Sequence, residues 1–352
     1  MLTLAGMTDD LRDVSLADIR AAADRISGHV DRTPMLSSRT AARFIEARTG
    51  VRIGAGPAAD GVPRLFLKAE HLQVTGSFKP RGATNRVIQL TPSERSRGLI
   101  AVSAGNHAMA VAYAARGAGV PVVVVMPNHA AASKVRAAVG YGAEVVLHGE
   151  DVGDTFRHKD KLVAEHGYTF VHPFDHPGTI AGTGTVGLEV IEDLPEVDVV
   201  VVGVGGGGLI SGVAAAVRQL RPLARVVGVE PRTSNALTLG LEAGEPVALR
   251  PRSIADGLGA PFAGEWTIDL ARRYVDRVAL VDEATIAFGV RFALERMKQL
   301  LEPAGAAALG AVLGGHVELH DGETVCVIGS GGNVDLDRLP EILALADVAA
   351  GG

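Results

Sequence analysis

A single cysteine, Cys326, stands among 352 residues, and that excludes a disulfide framework and any metal site built from several thiolates. It lies in the apolar run Thr324-Val325-Cys326-Val327-Ile328, where a buried core thiol is expected. Long basic runs are also lacking, and a net charge of -6 leaves no Lys/Arg face for the phosphates of a nucleic acid. Any small anion must then be held locally. The amino-terminal stretch does not combine a basic head, an apolar run and a small-residue cleavage site, the pattern of an export signal. A reducing cytoplasm fits both absences. One charge-free run, 199–217, reaches 19 residues, close to the ~20 of a membrane span. Its four consecutive glycines, Gly205, Gly206, Gly207 and Gly208, would break a helix, so it reads as strand, tight turn and second helix, and no membrane partner is expected.

What is present is material for a large core: 47% hydrophobic residues against 21% charged. The length exceeds the ~250 to 300 residues at which one core stops growing, so two lobes are expected. Short Val/Ile-rich runs at 64–68, 98–102, 120–126, 144–147, 197–204, 226–230 and 324–328 alternate with small-residue helical stretches such as 108–116, 131–139, 209–219 and 285–300. That alternation predicts α/β architecture, with mostly parallel sheets flanked by helices. The Gly/Pro/Ala/Asp-rich stretch 54–62 reads as an inserted loop, and His172-Pro173-Phe174-Asp175-His176-Pro177-Gly178 as the boundary between two strand-helix series. The division expected is a large cofactor-binding domain of 1–97 and 175–352, and a small mobile domain of 98–174 carrying a substrate loop.

Lys79 lies in Ser77-Phe78-Lys79-Pro80-Arg81-Gly82-Ala83. Thr75, Gly76 and Ser77 supply a turn and an N-cap, Pro80 suits a first helical position, and 83–90 continues with apolar helical spacing. A lysine at a helix start meets the positive end of the helix dipole, and apolar Phe78 beside it disfavours the charge further. Neutral amines are what Schiff-base chemistry requires.

Three further motifs follow strand ends. Gly203-Val204-Gly205-Gly206-Gly207-Gly208-Leu209 turns a buried strand into a helix, and its backbone N–H groups can cradle a phosphate. Glu230 follows Gly208 by 22 residues, which also satisfies a dinucleotide fingerprint. Ser103-Ala104-Gly105-Asn106-His107 opens an Ala-rich helix without a basic side chain, so a substrate carboxylate is the natural guest, and Asn106 could read a ring oxygen. His107 reads as a packing or helix-start residue. Ser330-Gly331-Gly332-Asn333 places Ser330 at a strand terminus where open parallel sheets bind ligands. Glu302 precedes a small-residue helix, as a capping carboxylate would. His316 and His320 have metal-like i,i+4 spacing, but the surrounding glycines and the lack of a third ligand argue against a metal there.

Together, SFKPRGA around Lys79, SAGNHA at 103–108, GGGGL at 205–209, IADG at 254–257, EPAGAAA at 302–308 and SGGN at 330–333 resemble the threonine/serine dehydratases, pyridoxal-phosphate enzymes of fold type II related to serine racemase. The resemblance is collinear from about residue 19 to 339. It implies a two-lobed, tryptophan synthase β-like fold and pyridoxal 5'-phosphate held covalently by Lys79, which would also be the catalytic base at the substrate α-carbon. Phe78 would lie beside the cofactor ring, Asn106 at its hydroxyl oxygen, Gly205, Gly206, Gly207, Gly208 and Leu209 around the phosphate, Gly257 in the cofactor site, and Ser330 at the pyridine nitrogen. Ser103, Ala104, Gly105, Asn106 and His107 would hold the substrate. The reaction implied is loss of the β-hydroxyl of L-threonine, L-serine or a similar hydroxyamino acid, giving a 2-oxo acid and ammonia. A homodimer is the assembly implied.

Departures from the family pattern bear on substrate and ions. Met109, Val74 and Thr183 stand where polar residues are common, which makes the expected pocket more apolar. Ala104 stands where related racemases carry a serine. Some relatives bind a divalent cation through the Glu of a Glu-Pro pair and an acid six residues on. Here Glu230 is followed by Ala236, so no tightly held magnesium is expected. Only a short helix and tail follow Leu339, so feedback through a regulatory amino-acid domain is expected to be absent. The alternatives are the same cofactor on another reaction (3-hydroxyaspartate dehydration, racemisation or β-replacement) and a nicotinamide dehydrogenase built on Gly203 to Gly208.

Overall fold

In the computed structural model, which describes residues 12–150 and 152–350, the seven Val/Ile-rich runs all become strands, and three more bring the described strands to ten, in two sheets. They are β1 (Met35–Ser38), β2 (Leu65–Lys68), β3 (Leu99–Val102), β4 (Val122–Met126), β5 (Glu144–Leu147), β6 (Thr169–Phe170), β7 (Val199–Gly203), β8 (Arg225–Pro231), β9 (Arg277–Val281) and β10 (Val325–Ile328). Six form one sheet in the order β1-β2-β10-β7-β8-β9, parallel throughout except for the antiparallel edge strand β1. The other four, all from the segment 99–170, form a parallel sheet in the order β5-β4-β3-β6. Central strands β2, β3, β4, β7 and β10 are buried at every residue, as helices on both faces of a parallel sheet require. In the second sheet the edge strand β5 opens to solvent, at Glu144 and Leu147.

Helix Lys79–Ile88 lies where the two sheets meet. Ala83 and Val87 join the apolar cluster of the second sheet with Val111, Ala115 and Val124. Its opposite flank crosses helix Pro177–Asp193 at two glycines: a Cβ on Gly82 would lie 2.8 Å from the Thr179 carbonyl, and one on Gly182 2.5 Å from that of Arg81. This crossing has no room for side chains. Gly82 therefore serves close packing and not chain flexibility.

Two local expectations change. Helix 285–300 is interrupted: helix Glu283–Phe292 widens into a π-turn at Ala293–Met297 and ends at Lys298, which adopts a left-handed φ of 59°. Nothing in the i,i+4 spacing announced this, because a π-turn retains apolar contacts while shifting the register by one residue. Ser77 does not cap the Lys79 helix. Its backbone is extended and bridges Gly331, leaving Phe78 as the N-cap and Lys79 as the first helical residue. Charge-free run 199–217 divides into β7, a glycine turn and helix Gly208–Leu220, and no helix among the described residues is long and apolar enough to cross a membrane. Cys326 is fully buried in β10, with its thiol pushed up to about 12 by burial.

Candidate active site

Parallel β-sheets leave their crevices at the carboxyl ends of the strands. β10 and β7 are neighbours, so Ser330 and the Gly203–Gly208 turn emerge side by side, and Phe78 N donates to the Ser330 carbonyl at 3.0 Å. That backbone bond carries Lys79 into the crevice. Lys79 Nζ lies 5.0 Å from the centre of the Phe78 ring and donates to the Pro173 carbonyl at 3.0 Å. Burial lowers its pKa to about 8, with Glu302 opposing the shift from a distance. An amine in this state is available for attack at neutral pH without being free of charge.

Next to Pro173, Phe174 covers the glycine turn. A Cβ on Gly206 would fall 2.5 Å from the Phe174 ring, and one on Gly208 2.8 Å from its backbone. Gly207 holds a φ of +92°, which favours glycine on conformational grounds as well. Backbone N–H groups of Gly205, Gly206, Gly207, Gly208 and Leu209 have no acceptor among the described residues. They stand at the amino end of a 13-residue helix, Gly208–Leu220. Such a turn suits a phosphate, which accepts several such bonds and is stabilised by the helix dipole. Gly257 closes one side, with its carbonyl 3.3 Å from where a Cβ of Gly205 would stand.

Asn106 begins helix Asn106–Ala118 shortly after β3, and its Nδ2 donates to Glu302 Oε1 at 2.7 Å. Glu302 caps helix Pro303–Leu313 with its backbone only; no side-chain cap bond forms. Its carboxyl is turned to Asn106 instead, and burial raises its pKa to about 7 against the pull of that hydrogen bond. Asn333 completes the group, donating from Nδ2 to Asn106 Oδ1 at 2.8 Å and to the Thr75 carbonyl at 2.7 Å. Sequence reading gave the carboxyl of Glu302 to its helix cap and assigned no role to the amide of Asn333, because each faces Asn106 from the far side of the chain, 196 and 227 positions away. Ser330 is buried, with Oγ 3.5 Å from the Ala304 carbonyl.

Ser103 Oγ accepts from Gly105 N at 3.1 Å, shaping the turn around Ala104. His107 is buried, its Nε2 is 2.9 Å from the Val171 carbonyl, and burial followed by repulsion from Lys79 pushes its pKa to about 3. Its ring is committed to the wall between β3 and β6. His172 is held neutral by the same two causes, at about 3, and its Nδ1 accepts from Phe174 N and Asp175 N. Thr183 is 2% exposed, with Oγ1 2.9 Å from the Ile180 carbonyl and 2.8 Å from that of Gly208, so its hydroxyl ties its helix to the glycine turn. The carboxyl of Glu230, raised to about 7 by burial, accepts from Leu237 N, Thr238 N and Thr238 Oγ1, so backbone and hydroxyl donors occupy it. Among the described residues, no group of three or more His, Cys, Asp or Glu is placed to hold a metal ion.

Residues 26–331 match the family profile described as pyridoxal-phosphate dependent enzyme. A putative threonine dehydratase of Sinorhizobium fredii is 42% identical over 338 residues, 95% of this chain and 97% of that protein. An L-threonine ammonia-lyase of Thermotoga maritima is 42% identical over 289 residues, 82% of this chain and 71% of that protein. Among solved structures, maize serine racemase aligns with a TM-score of 0.84 at 34% identity, covering 97% of this chain and all of that one. A T.th. threonine deaminase aligns at 0.79 with 40% identity, covering 92% and 99%.

Proposed function

We infer the activity of this chain from one premise: it belongs to the pyridoxal-phosphate dependent enzyme family. It is an ammonia-lyase of the threonine dehydratase kind, eliminating the β-hydroxyl of L-threonine, L-serine or a similar hydroxyamino acid to give a 2-oxo acid and ammonia. The observation that carries the site assignment is a Lys79 amine with its pKa lowered to about 8, beside a glycine turn whose N–H groups lack acceptors among the described residues. Pyridoxal phosphate, when bound, supplies the electron sink for breaking the α-carbon bond to hydrogen.

The chain's own residues do the rest. Gly205 to Leu209 would hold the phosphate at the helix start, and Phe78, whose ring lies beside Lys79 Nζ, would pack against the cofactor. Lys79 Nζ would hold the cofactor and would also be the base for the substrate α-proton, a role that a pKa of about 8 suits at neutral pH. Ser330, a neutral hydroxyl, would serve the ring nitrogen, Asn106 would serve the ring oxygen, and Gly257 would wall the glycine turn on one side. Ser103, Ala104, Gly105, Asn106 and His107 form the carboxylate loop, with His107 acting as its buried support. Racemisation would need a second proton donor on the opposite face, and Ala104 has none to offer.

The segment 98–174 is the moving lobe in this reading, supported by its having a four-stranded sheet of its own, and the polar contacts of Asn106 with Glu302, Ser133 Oγ with Asp335 at 3.2 Å and Lys134 with Asp256 at 3.6 Å are those its movement would exchange. A homodimer in a reducing cytoplasm completes the proposal, the buried free thiol of Cys326 being at ease there. The test is a visible absorption spectrum with and without borohydride, alongside 2-oxo acid release from a panel of hydroxyamino acids. Lys79→Ala should lose the reducible band and lower turnover by about 10²- to 10⁴-fold. A protein that carries the cofactor yet releases no 2-oxo acid from any β-hydroxyamino acid would refute the elimination.

A further inference from the structure

Hydrogen-bond direction passes along four residues at the junction of the sheets, and a backbone carbonyl sets it. The carbonyl of Thr75 can only accept, so Asn333 must turn Nδ2 toward it, at 2.7 Å. The same nitrogen reaches Asn106 at 2.8 Å, so Asn106 must present Oδ1 there. Its own Nδ2 is thereby turned to Glu302 Oε1, at 2.7 Å. Two backbone features hold the start of this chain in place. Thr75, a β-branched residue, sits at a left-handed φ of 63°, and Gly76, at 75°, allows Asn333 so close that a Cβ would lie 2.4 Å from Asn333 Oδ1. Backbone strain of this kind persists only where its surroundings over-determine it.

We propose that Asn333 is a positioning residue that acts with Glu302 to fix the direction of the Asn106 carboxamide, so that Asn106 offers its ligand a hydrogen-bond donor. With Oδ1 turned to Asn333 and one Nδ2 hydrogen on Glu302, the second Nδ2 hydrogen is what remains. A donor at this place selects an ionised ring oxygen over a protonated one. The inference rests on the reading that Asn106 meets the cofactor's ring oxygen. It adds the reason that Asn106 meets that oxygen as a donor: a residue 227 positions away orients it.

The test compares Asn333→Asp with Asn333→Leu. Both side chains resemble asparagine in size, and Asn333 is exposed, so both apoproteins should fold, as circular dichroism will check. Leucine imposes no direction and leaves Asn106 fixed by Glu302. A carboxylate cannot donate to Thr75 or to Asn106 Oδ1 and accepts from Asn106 Nδ2 instead; Asn106 then reverses, with Oδ1 taking a hydrogen bond from Glu302, whose pKa of about 7 lets its carboxyl carry the proton. Pyridoxal phosphate should then bind the Asn333→Asp apoprotein on the order of ten-fold more weakly than the Asn333→Leu apoprotein, the loss of one charge-assisted bond. The midpoint at which the bound cofactor's visible band changes with pH should move upward in the Asp variant alone. In an Asn106→Ala background the difference between the two should vanish. Equal affinities and spectra for Asp and Leu would overturn the proposal, as would a difference that survives Asn106→Ala. Should Asn106→Ala by itself leave cofactor affinity unchanged, the contact with the ring oxygen falls and this inference falls with it, an outcome distinct from the other two.

Discussion

Lys79 and Arg81 are cations two residues apart in the first turn of one helix, the first half-buried and the second fully buried, and their pKa values move in opposite directions. Around Lys79 the close partners are the Phe78 ring and one carbonyl, with Glu302 acting from farther off, and burial lowers its pKa to about 8. Arg81 is 1% exposed, where burial alone would also favour the neutral form. Glu70 and Glu189 more than reverse this: Nε and Nη2 donate to the two Glu70 oxygens at 2.8 Å each, and Nη1 and Nη2 to Glu189 at 2.7 and 2.9 Å. Lys68, 0% exposed, joins the same group through Glu189 at 2.6 Å. Paired burial keeps a charge as structure, and unpaired burial releases it for chemistry. The helix needs both, since the Arg81 pairs anchor the turn on which Lys79 stands.

Breaking the paired side should have the largest effect. Arg81→Ala leaves Glu70 buried without its cation and Glu189 with Lys68 alone, and should cost about 3 to 5 kcal/mol of stability by urea unfolding of the apoprotein. Arg81→Lys keeps the charge but not the two-pronged geometry and should fall between. The comparison fails if Arg81→Ala is as stable as the natural protein. On the unpaired side the expected effect is a shift in pH response. Cofactor capture by the apoprotein needs the neutral amine, so its rate should rise with pH through about 8, and Glu302→Gln, which removes the carboxyl that raises Lys79, should move that midpoint lower. Stopped-flow absorbance would record it, and a midpoint that rose would contradict the assignment. The smallest effect belongs to a pair that is neither deeply buried nor alone. Lys134 and Asp256 meet at 3.6 Å across the rim, with Asp256 also bonded to Arg338, so Lys134→Ala should change stability by less than about 1 kcal/mol.

Much of this molecule was legible locally. β4, β5, β7, β8 and β10 follow β-branched runs within two residues of where the pattern ends, because strand register and burial on both faces impose that composition. Lys79 at a helix start and the strand-turn-helix at Gly203 to Leu209 were readable for the same reason: neighbours in sequence fix a turn. β1, β6 and β9 were not anticipated. β6 is only two residues long, and β1 lies at a sheet edge, where the demand for apolar residues relaxes; β9, at the other edge, is apolar at four of its five residues, and edge relaxation does not account for it. Glu302 was expected to cap its helix, a local role that its backbone fills while its carboxyl serves Asn106. Thr183 was expected to change a pocket, and it holds helices together.

By itself, then, the sequence determined the α/β alternation, the glycine turn and the lysine at a helix start, all set by sterics and hydrogen bonding between residues near one another in the chain. Tertiary structure alone decided that Lys79 titrates near 8, that Glu302 titrates near 7 and faces Asn106, that His107 and His172 stay neutral, and that Asn333 orients an amide on the other sheet. Desolvation is the summed effect of every segment that excludes water from a group, and most of those segments are distant in sequence.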